Sequence, residues 1–577
     1  MKKELISLLN YIPLDNKKKF ILILFLLLLG VVFEALSFAI FIPVLDLIIN
    51  KNFIYLEKFG LDNLIVLTEL KTENLIFFIL PFLIFIFFIK NSYLLFLMWY
   101  KNKFFKLLNT FNSVKLFTNY LESDWEEHIK KNSGELIRNI QGEISKITTT
   151  LNAFLELCSE ILIFILILIF LFIWNSQIVF ILLVLIGFIS FFFINILKKR
   201  ISYWATQIQS NETAFFKNIK EAIGSFKEIK ILRKKDLFIN ELNSKLTKGQ
   251  NFRLKFETIQ NSPRFFLEFF AVIIISCLTF YLILINQNLN NVLVTLGIIS
   301  IALFRILPSS NRIIKNINDI RFGLNSVRVI NNEFELFDNQ KNKAIEEISF
   351  DSSIKLNNIS YKYDNNQEFI FKDLNLEIKK HSIIGITGAS GVGKTTLIDI
   401  LAGLLLKIEG ELIVDDVMIN RKNVNAYHKF LGYLPQILYL FDNSIRQNIA
   451  IDEKGGASFN KENYKKILDI LKNLKLEKII HQNNIDHNLG ENAIKLSGGQ
   501  KQRLGLARLL YHNKDILIFD EATSALDKKT EKEIFDLIYS LKGKKTIIIS
   551  THSTDMLYGC DKIYQIRDQK LTEIVKN

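Results

Sequence analysis

The chain has 577 residues, more than one hydrophobic core usually organises, so two or more domains are expected. Lys and Arg number 72 against 58 Asp and Glu, a net charge of +14; half of the residues are hydrophobic, 50 are Phe, and mean hydropathy is +0.23. These values exclude disordered, collagen-like and ordinary soluble chains and point to a membrane protein. Cys158, Cys277 and Cys560 are widely spaced and form no CxxC or Cys/His cluster, so neither a disulfide framework nor a zinc site is expected.

In chain order, six apolar runs near 20–45, 75–98, 152–174, 177–197, 265–286 and 290–308 are each long enough for the roughly 20 helical residues that cross a bilayer core. The first follows Met1, Lys2 and Lys3 but is too long for a signal peptide and lacks a small-residue cleavage site, so it reads as a membrane helix. Lys17 to Lys19, the stretch 101–150 and the stretch 198–255 are basic, and they alternate with nearly chargeless connections at Asn175 to Gln177 and Asn286 to Asn291. Cytoplasmic loops carry the excess of Lys and Arg, so both termini are expected in the cytoplasm. Most of the positive surplus outside the C-terminal region lies in loops that topology requires to be basic, which argues against nucleic acid as a partner.

The two long polar segments read as helices continuing beyond the membrane. Ser133 to Leu136 and Gly224 to Lys230 interrupt them where a helix would turn back. After an Asn-rich, charged stretch, strands alternate with helices, the pattern of a parallel α/β domain. The expected division is a transmembrane domain at 1–335 with cytoplasmic helical extensions, a linker at 336–351 and a nucleotide-binding domain at 352–577.

Gly388-Ala389-Ser390-Gly391-Val392-Gly393-Lys394-Thr395 fits the phosphate loop GxxxxGK[ST], preceded by a strand-like run and followed by a helix-like one that begins at Thr396. The glycines let backbone N–H groups turn toward phosphates, Lys394 reaches the β/γ oxygens of ATP, and Thr395 can ligate Mg²⁺. Ile516 to Phe519 form a buried-strand run ending in Asp520 and Glu521. There Asp520 would hold Mg²⁺ and Glu521 would polarise the attacking water as general base.

Between them lies Leu496-Ser497-Gly498-Gly499-Gln500, opening a helix. This chain resembles the ATP-binding cassette family, in which that motif stands between the phosphate loop and the acidic strand. The resemblance implies that Tyr363 stacks on adenine, that Gln436 is the Q-loop residue near Mg²⁺ and the reacting centre, that Asp527 closes the D-loop Ser524 to Asp527, and that His552 is the switch histidine. It also implies a homodimer, because Ser497 to Gln500 of one subunit close on the phosphate loop of the other. Two departures stand out: Gly490-Glu491-Asn492-Ala493 replaces the usual Gly-Glu-Arg-Gly, and Asp415-Asp416 replaces Asp-Gly in a turn, where Asp tolerates the left-handed conformation.

Five ionisable residues, Glu34, Lys90, Arg264, Glu268 and Arg305, fall in or at the edge of the apolar runs, where charge is costly unless it faces a cavity, water or a partner. Individually, Lys90 can snorkel and Arg264 can pair with Glu268 one turn on. Together, Lys90, Arg264 and Arg305 suit a phosphate-bearing substrate. The segments Ser262 to Glu268, Ala302 to Arg312, and Phe33 to Ser37 with Pro43, resemble the membrane region of bacterial lipid-linked oligosaccharide flippases. In that family cavity cations meet the lipid pyrophosphate, which implies an ATP-driven flippase in the bacterial inner membrane for a polyprenyl-pyrophosphate-linked glycan. The same likeness places an external amphipathic helix at Asn50 to Asn63. The rival expectations are an exporter of another lipid, a peptide or a drug, and a non-transport cassette ATPase.

Overall fold

A computed structural model describes residues 2–40, 72–174, 176–284, 289–338, 347–363, 368–451, 461–477, 484–490, 493, 496–523 and 527–574. The chain divides into two compact units, one of residues 1–123 and 130–338 and one of residues 124–129 and 339–577.

The first unit is helical. A short α1 (Lys2–Ser7) precedes α2 (Lys17–Ala39) and α3 (Thr72–Glu122); α4 (Trp125–Lys130) belongs, but for its last residue, to the second unit, and the first unit continues with α5 (Ser133–Arg138), α6 (Ile144–Trp174), α7 (Ser176–Gly224), α8 (Phe226–Leu232), α9 (Lys235–Leu284) and α10 (Leu289–Asp338). Helices α3, α7, α9 and α10 each have 49 to 51 residues. At 1.5 Å per residue they extend about 75 Å, more than twice a bilayer core. Among the described residues, five helices are long and apolar enough to cross a membrane by length and composition. The run 177–197 lies in α7, where most side chains fall outside the described residues, as do Pro43 and the expected external helix at 50–63.

The first turn precedes the interruption expected at Ser133 to Leu136, which are helical and open α5, and the second falls at Gly224 and Ser225, with Phe226 to Lys230 already helical in α8. Helix α3 ends at Glu122, Asn132 caps α5 by accepting from the Gly134 N–H at 2.9 Å, and α7 ends at Gly224. Arg233, with φ of 54°, closes α8 in the left-handed region.

The first unit has two main buried clusters. One takes Val31 from α2, Ile163, Ile167 and Leu171 from α6, Ala271 and Ile274 from α9, and Ile298, Ile299, Ala302, Leu303 and Ile306 from α10. The other joins Leu8, Tyr11 and Ile23 to Leu108, Leu116, Leu151, Leu324 and Val327. Phe82, Phe85 and Phe88 of α3 are more than half exposed, as apolar side chains on a lipid-facing helix would be. Ser262 adjusts α9 at its proline: Pro263 cannot donate to the Ile259 carbonyl, and the Ser262 hydroxyl donates to it at 2.9 Å instead.

The second unit contains two sheets. The antiparallel one has the order β2-β1-β4-β5, from β1 (Ser353–Tyr361), β2 (Phe371–Lys379), β4 (Glu409–Val414) and β5 (Val417–Met418). The other has the order β10-β9-β3-β8-β7-β6, from β3 (Ile383–Thr387), β6 (Leu431–Leu434), β7 (Ile516–Asp520), β8 (Thr546–Ser550), β9 (Lys562–Arg567) and β10 (Lys570–Ile574). Its strands pair in parallel except β10, an antiparallel edge. Every residue of β3, β7 and β8 is buried, as the unbroken Ile-rich runs require for strands covered on both faces. The Asp415-Asp416 turn is left-handed at both residues, with φ of 50° and 69°, and the Asp415 carboxylate accepts from the N–H groups of Ser352 and Ser353 at 2.7 and 2.8 Å.

Candidate functional site

Parallel strands of one sheet place their C-terminal ends along a single edge, where ligands of open α/β sheets bind. Here β3 feeds the phosphate loop, β7 ends in Asp520 and leads to Glu521, and β8 leads to the exposed His552. Gly391 and Gly393 have φ of 80° and 107°, and a Cβ on Gly393 would lie 2.6 Å from Ile370 Cγ2 and 2.9 Å from the Phe371 ring. Only glycine fits there. The next helix, α11 (Lys394–Leu401), begins on this loop and directs its N-terminal N–H groups at it.

Lys394 is buried, and its Nζ donates to the carbonyls of Gly388 and Ala389 at 3.0 and 3.2 Å. It also pairs with Glu521 Oε1 at 3.2 Å, while Gln436 Nε2 donates to Glu521 Oε2 at 2.8 Å. Glu521 has a left-handed φ of 46°, with its N–H bonded to the Ser550 carbonyl at 3.0 Å. The structure therefore brings Gln436, Lys394 and Glu521 into one constellation, three residues separated by up to 127 positions in sequence.

Burial pushes the Asp520 carboxyl upward, against the Thr395 hydroxyl that hydrogen-bonds it. Its Oδ1 is buried without a hydrogen-bond partner among the described residues. An orphaned carboxylate oxygen beside a threonine hydroxyl is a fitting pair of hard oxygen ligands for Mg²⁺. Tyr363 is 38% exposed, with its hydroxyl 3.3 Å from Thr396 Oγ1, which holds the ring at the start of α11.

Helix α12 (Gly498–His512) begins at the exposed Ser497, in a capping box: the Gln500 N–H donates to Ser497 Oγ at 3.3 Å and the Ser497 N–H to Gln500 Oε1 at 2.8 Å. Among the described residues, no hydrogen bond or ion pair joins positions 497–500 to the phosphate loop at 388–395. Asp527 caps α13 (Lys528–Tyr539) by accepting from the Thr530 N–H at 3.0 Å, which draws its carboxyl below the usual range. Ser524 to Leu526, Glu491 and Asn492 lie outside the described residues.

Sequence reasoning missed Asp399 and its partner. Asp399 is a buried carboxylate within the apolar run Leu397 to Leu401 of α11, raised to about 6 by burial and by the charge of Asp520, with a hydrogen bond from Trp125 acting against that shift. Trp125 begins α4, whose neighbourhood is held by Arg421 on Asp124 at 2.5 Å and Lys407 on Glu126 at 3.7 Å. A lone charge in an apolar helical stretch was the available signal.

The folded state binds the Asp399 proton more tightly than the unfolded chain, so the ionised form costs stability above about pH 6 and the cost disappears below the ordinary carboxylate range. Asp399→Asn keeps an acceptor for the indole and removes the titration. It is expected to raise the thermal midpoint of the full chain at pH 8, with the gain shrinking as pH falls through 6. A gain equal at pH 5 and pH 8 would contradict this assignment.

In the first unit, Lys90, Arg264 and Arg305 line a single cavity of about 1060 Å³, together with Glu34, Glu268 and Arg312. Each cation has a neighbour. Arg305 pairs with Glu34, Arg264 with Glu268 at 2.7 Å, and Lys90 Nζ donates to Ser37 Oγ at 3.3 Å and lies 4.4 Å from the Phe87 ring centroid. Arg264 is exposed, with 68% of its side-chain surface accessible, so its pair with Glu268 is the surface i, i+4 type expected from spacing. Arg312, which sequence reasoning did not assign to the cavity, holds the buried Glu160 at 2.6 Å, and Glu160 also accepts from Ser309 at 2.8 Å.

Comparisons with known proteins agree with this geometry. Residues 371–524 match the ABC transporter family model. The solved structure of a bacterial Atm1-family ABC exporter with ATP bound superposes with a TM-score of 0.78 over 97% of this chain and 95% of that one, at 18% identity. The fold is that of an ATP-binding cassette exporter, with one helical domain followed by one cassette.

Among curated relatives, the nisin transport ATP-binding protein NisT of Lactococcus lactis is 27% identical over 81% of this chain and 78% of its own length. The ATP-dependent lipid A-core flippase of Bordetella avium is 31% identical over 38% of this chain and 37% of its own. The chain spans about half the length, or less, of the first curated relatives it matches.

Proposed function

We propose that this chain is an ATP-driven exporter working as a homodimer in the bacterial inner membrane, with the cassette and both termini cytoplasmic. Its cargo is an amphiphile with a phosphate-bearing head, of the polyprenyl-pyrophosphate-linked oligosaccharide class. The observation that carries the cargo reading is the cavity of about 1060 Å³, where cations from three helices, Lys90 of α3, Arg264 of α9 and Arg305 and Arg312 of α10, outnumber the two carboxylates, Glu34 and Glu268, on one wall. Such groups persist at bilayer depth where they serve a pathway or a ligand.

In the cassette, Thr395, Asp520 and Gln436 would hold Mg²⁺, which neutralises phosphate charge when bound. Lys394 supplies a cation to the β/γ oxygens, Glu521 accepts the proton of the attacking water, and His552 borders the same edge. Tyr363 offers its ring to adenine. Ser390 and the amides of Gly388 to Thr396 cradle phosphates, and Ser497 to Gln500 with Asp527 complete the site of the second subunit.

The direct test is ATPase activity and lipid flipping in proteoliposomes. A lipid-linked oligosaccharide should stimulate turnover and appear in the opposite leaflet. Arg305→Ala should reduce flipping by roughly 10-fold to 100-fold, the equivalent of one charge-assisted contact, and should lower flipping more than basal hydrolysis. Equal flipping by the two proteins would remove Arg305 from the cargo path. A second reading, export of a cationic peptide, is favoured by Glu34 and Glu268 on the same wall and predicts stimulation by cationic peptides instead.

A further inference from the structure

The cavity contains a carboxylate where its cations would meet a cargo. Glu34 on α2 forms an ion pair with Arg305 Nη2, and the two side chains are 13% and 21% exposed. Lys90 on α3 donates to the hydroxyl of Ser37, one turn along α2 from Glu34, and that hydroxyl donates to the Glu34 carbonyl at 2.8 Å. Glu34 and Arg305 both lie within electrostatic reach of Lys90. Arg305 Nε is buried and donates to no described residue, so part of the guanidinium fork is unused. The other cations differ: Arg264 is exposed beside Glu268, and Arg312 is committed to the buried Glu160.

We propose that Glu34 is a specificity-determining residue of this cavity, a built-in carboxylate that yields Arg305 and Lys90 to a head group carrying two or more negative charges and rejects monoanionic lipids. The inference rests on the exporter reading given above. A monoanion that takes Arg305 exchanges one ion pair for another and leaves the largely buried Glu34 carboxylate without its cation, a net loss. A pyrophosphate reaches Lys90 and Arg305 together, making two charge-assisted contacts for the Glu34 ion pair it displaces. Zwitterionic and monoanionic lipids, such as phosphatidylethanolamine and phosphatidylglycerol, are thereby kept from filling the cavity. Specificity of this kind comes from a repulsive group as much as from the attractive ones.

The experiment compares two probes in proteoliposomes: a polyprenyl pyrophosphate and a polyprenyl phosphodiester of the same chain length, which carries a single charge. Apparent affinity is read from the concentration giving half-maximal ATPase stimulation. The unaltered protein should favour the pyrophosphate by at least about tenfold, and Glu34→Gln should reduce that ratio about tenfold, mainly by tightening the diester. Glu34→Asp, which retains the charge on a shorter arm, should fall between them and serves as the reading if the amide variant does not assemble. A ratio unchanged in both variants, or an equal loss of affinity for both lipids, overturns the role assigned to Glu34. An unaltered protein that responds to neither lipid rejects the cargo reading itself.

Discussion

The Glu521→Gln protein is expected to bind ATP and to hydrolyse it about 10²-fold to 10⁴-fold more slowly than the unaltered chain, the range for removing a positioned general base. The replacement is isosteric, so the contact from Gln436 Nε2, at 2.8 Å in the parent, can re-form on the amide oxygen. What disappears is the acceptor for the water proton and the ionic partner of Lys394, 3.2 Å away. Because Lys394 then has no carboxylate competing with phosphate, nucleotide affinity should be equal or higher. Lys394→Ala should do the reverse and weaken binding itself, leaving Glu521 in place. Titration with a fluorescent nucleotide beside phosphate release separates the two variants, and full turnover by Glu521→Gln would refute the assignment of the base.

Gly323→Ala should be the most damaging conservative change in the helical unit. Helices α6 and α10 meet there so closely that a Cβ on Gly323 would overlap Thr150 Oγ1 and stand 2.9 Å from Thr150 Cβ and 3.2 Å from its Cγ2. The Thr150 hydroxyl donates to the Lys146 carbonyl at 2.6 Å, and both residues lie within long helices, so neither side can yield without shifting a helix. Overpacking of this kind costs about 1–3 kcal/mol or more. A lower thermal midpoint and loss of assembled protein are expected, measured by scanning fluorimetry in detergent. Thr150→Ala in the same chain should restore part of the loss, because it removes the overlapping hydroxyl but leaves the Cβ. Full stability of the single variant would show that the helices separate there without penalty.

Five of the apolar runs, the alternation of strands and helices that follows them, and the glycines of the phosphate loop were legible in the sequence because each depends on local rules. Bilayer thickness sets run length, backbone geometry demands Gly391 and Gly393, and an all-buried parallel strand demands an unbroken run such as Ile516 to Phe519. Asp415-Asp416 was also readable as a left-handed turn, since short polar side chains tolerate that conformation and Asp415 bonds the adjacent backbone. The cations Lys90, Arg264 and Arg305 stood out because charge is rare in such runs.

Their partners were another matter. The Arg264–Glu268 pair follows from helical spacing, whereas Arg305–Glu34, Lys394–Glu521, Gln436–Glu521 and Trp125–Asp399 join residues between 85 and 274 positions apart. Sequence alone thus determined which residues carry charge, which backbone positions must be glycine, and which segments are helix or buried strand, because these are properties of short stretches of chain. Only the tertiary structure decided which charges neutralise one another: ion pairing falls off over a few ångströms, and those distances are set by how helices and strands pack.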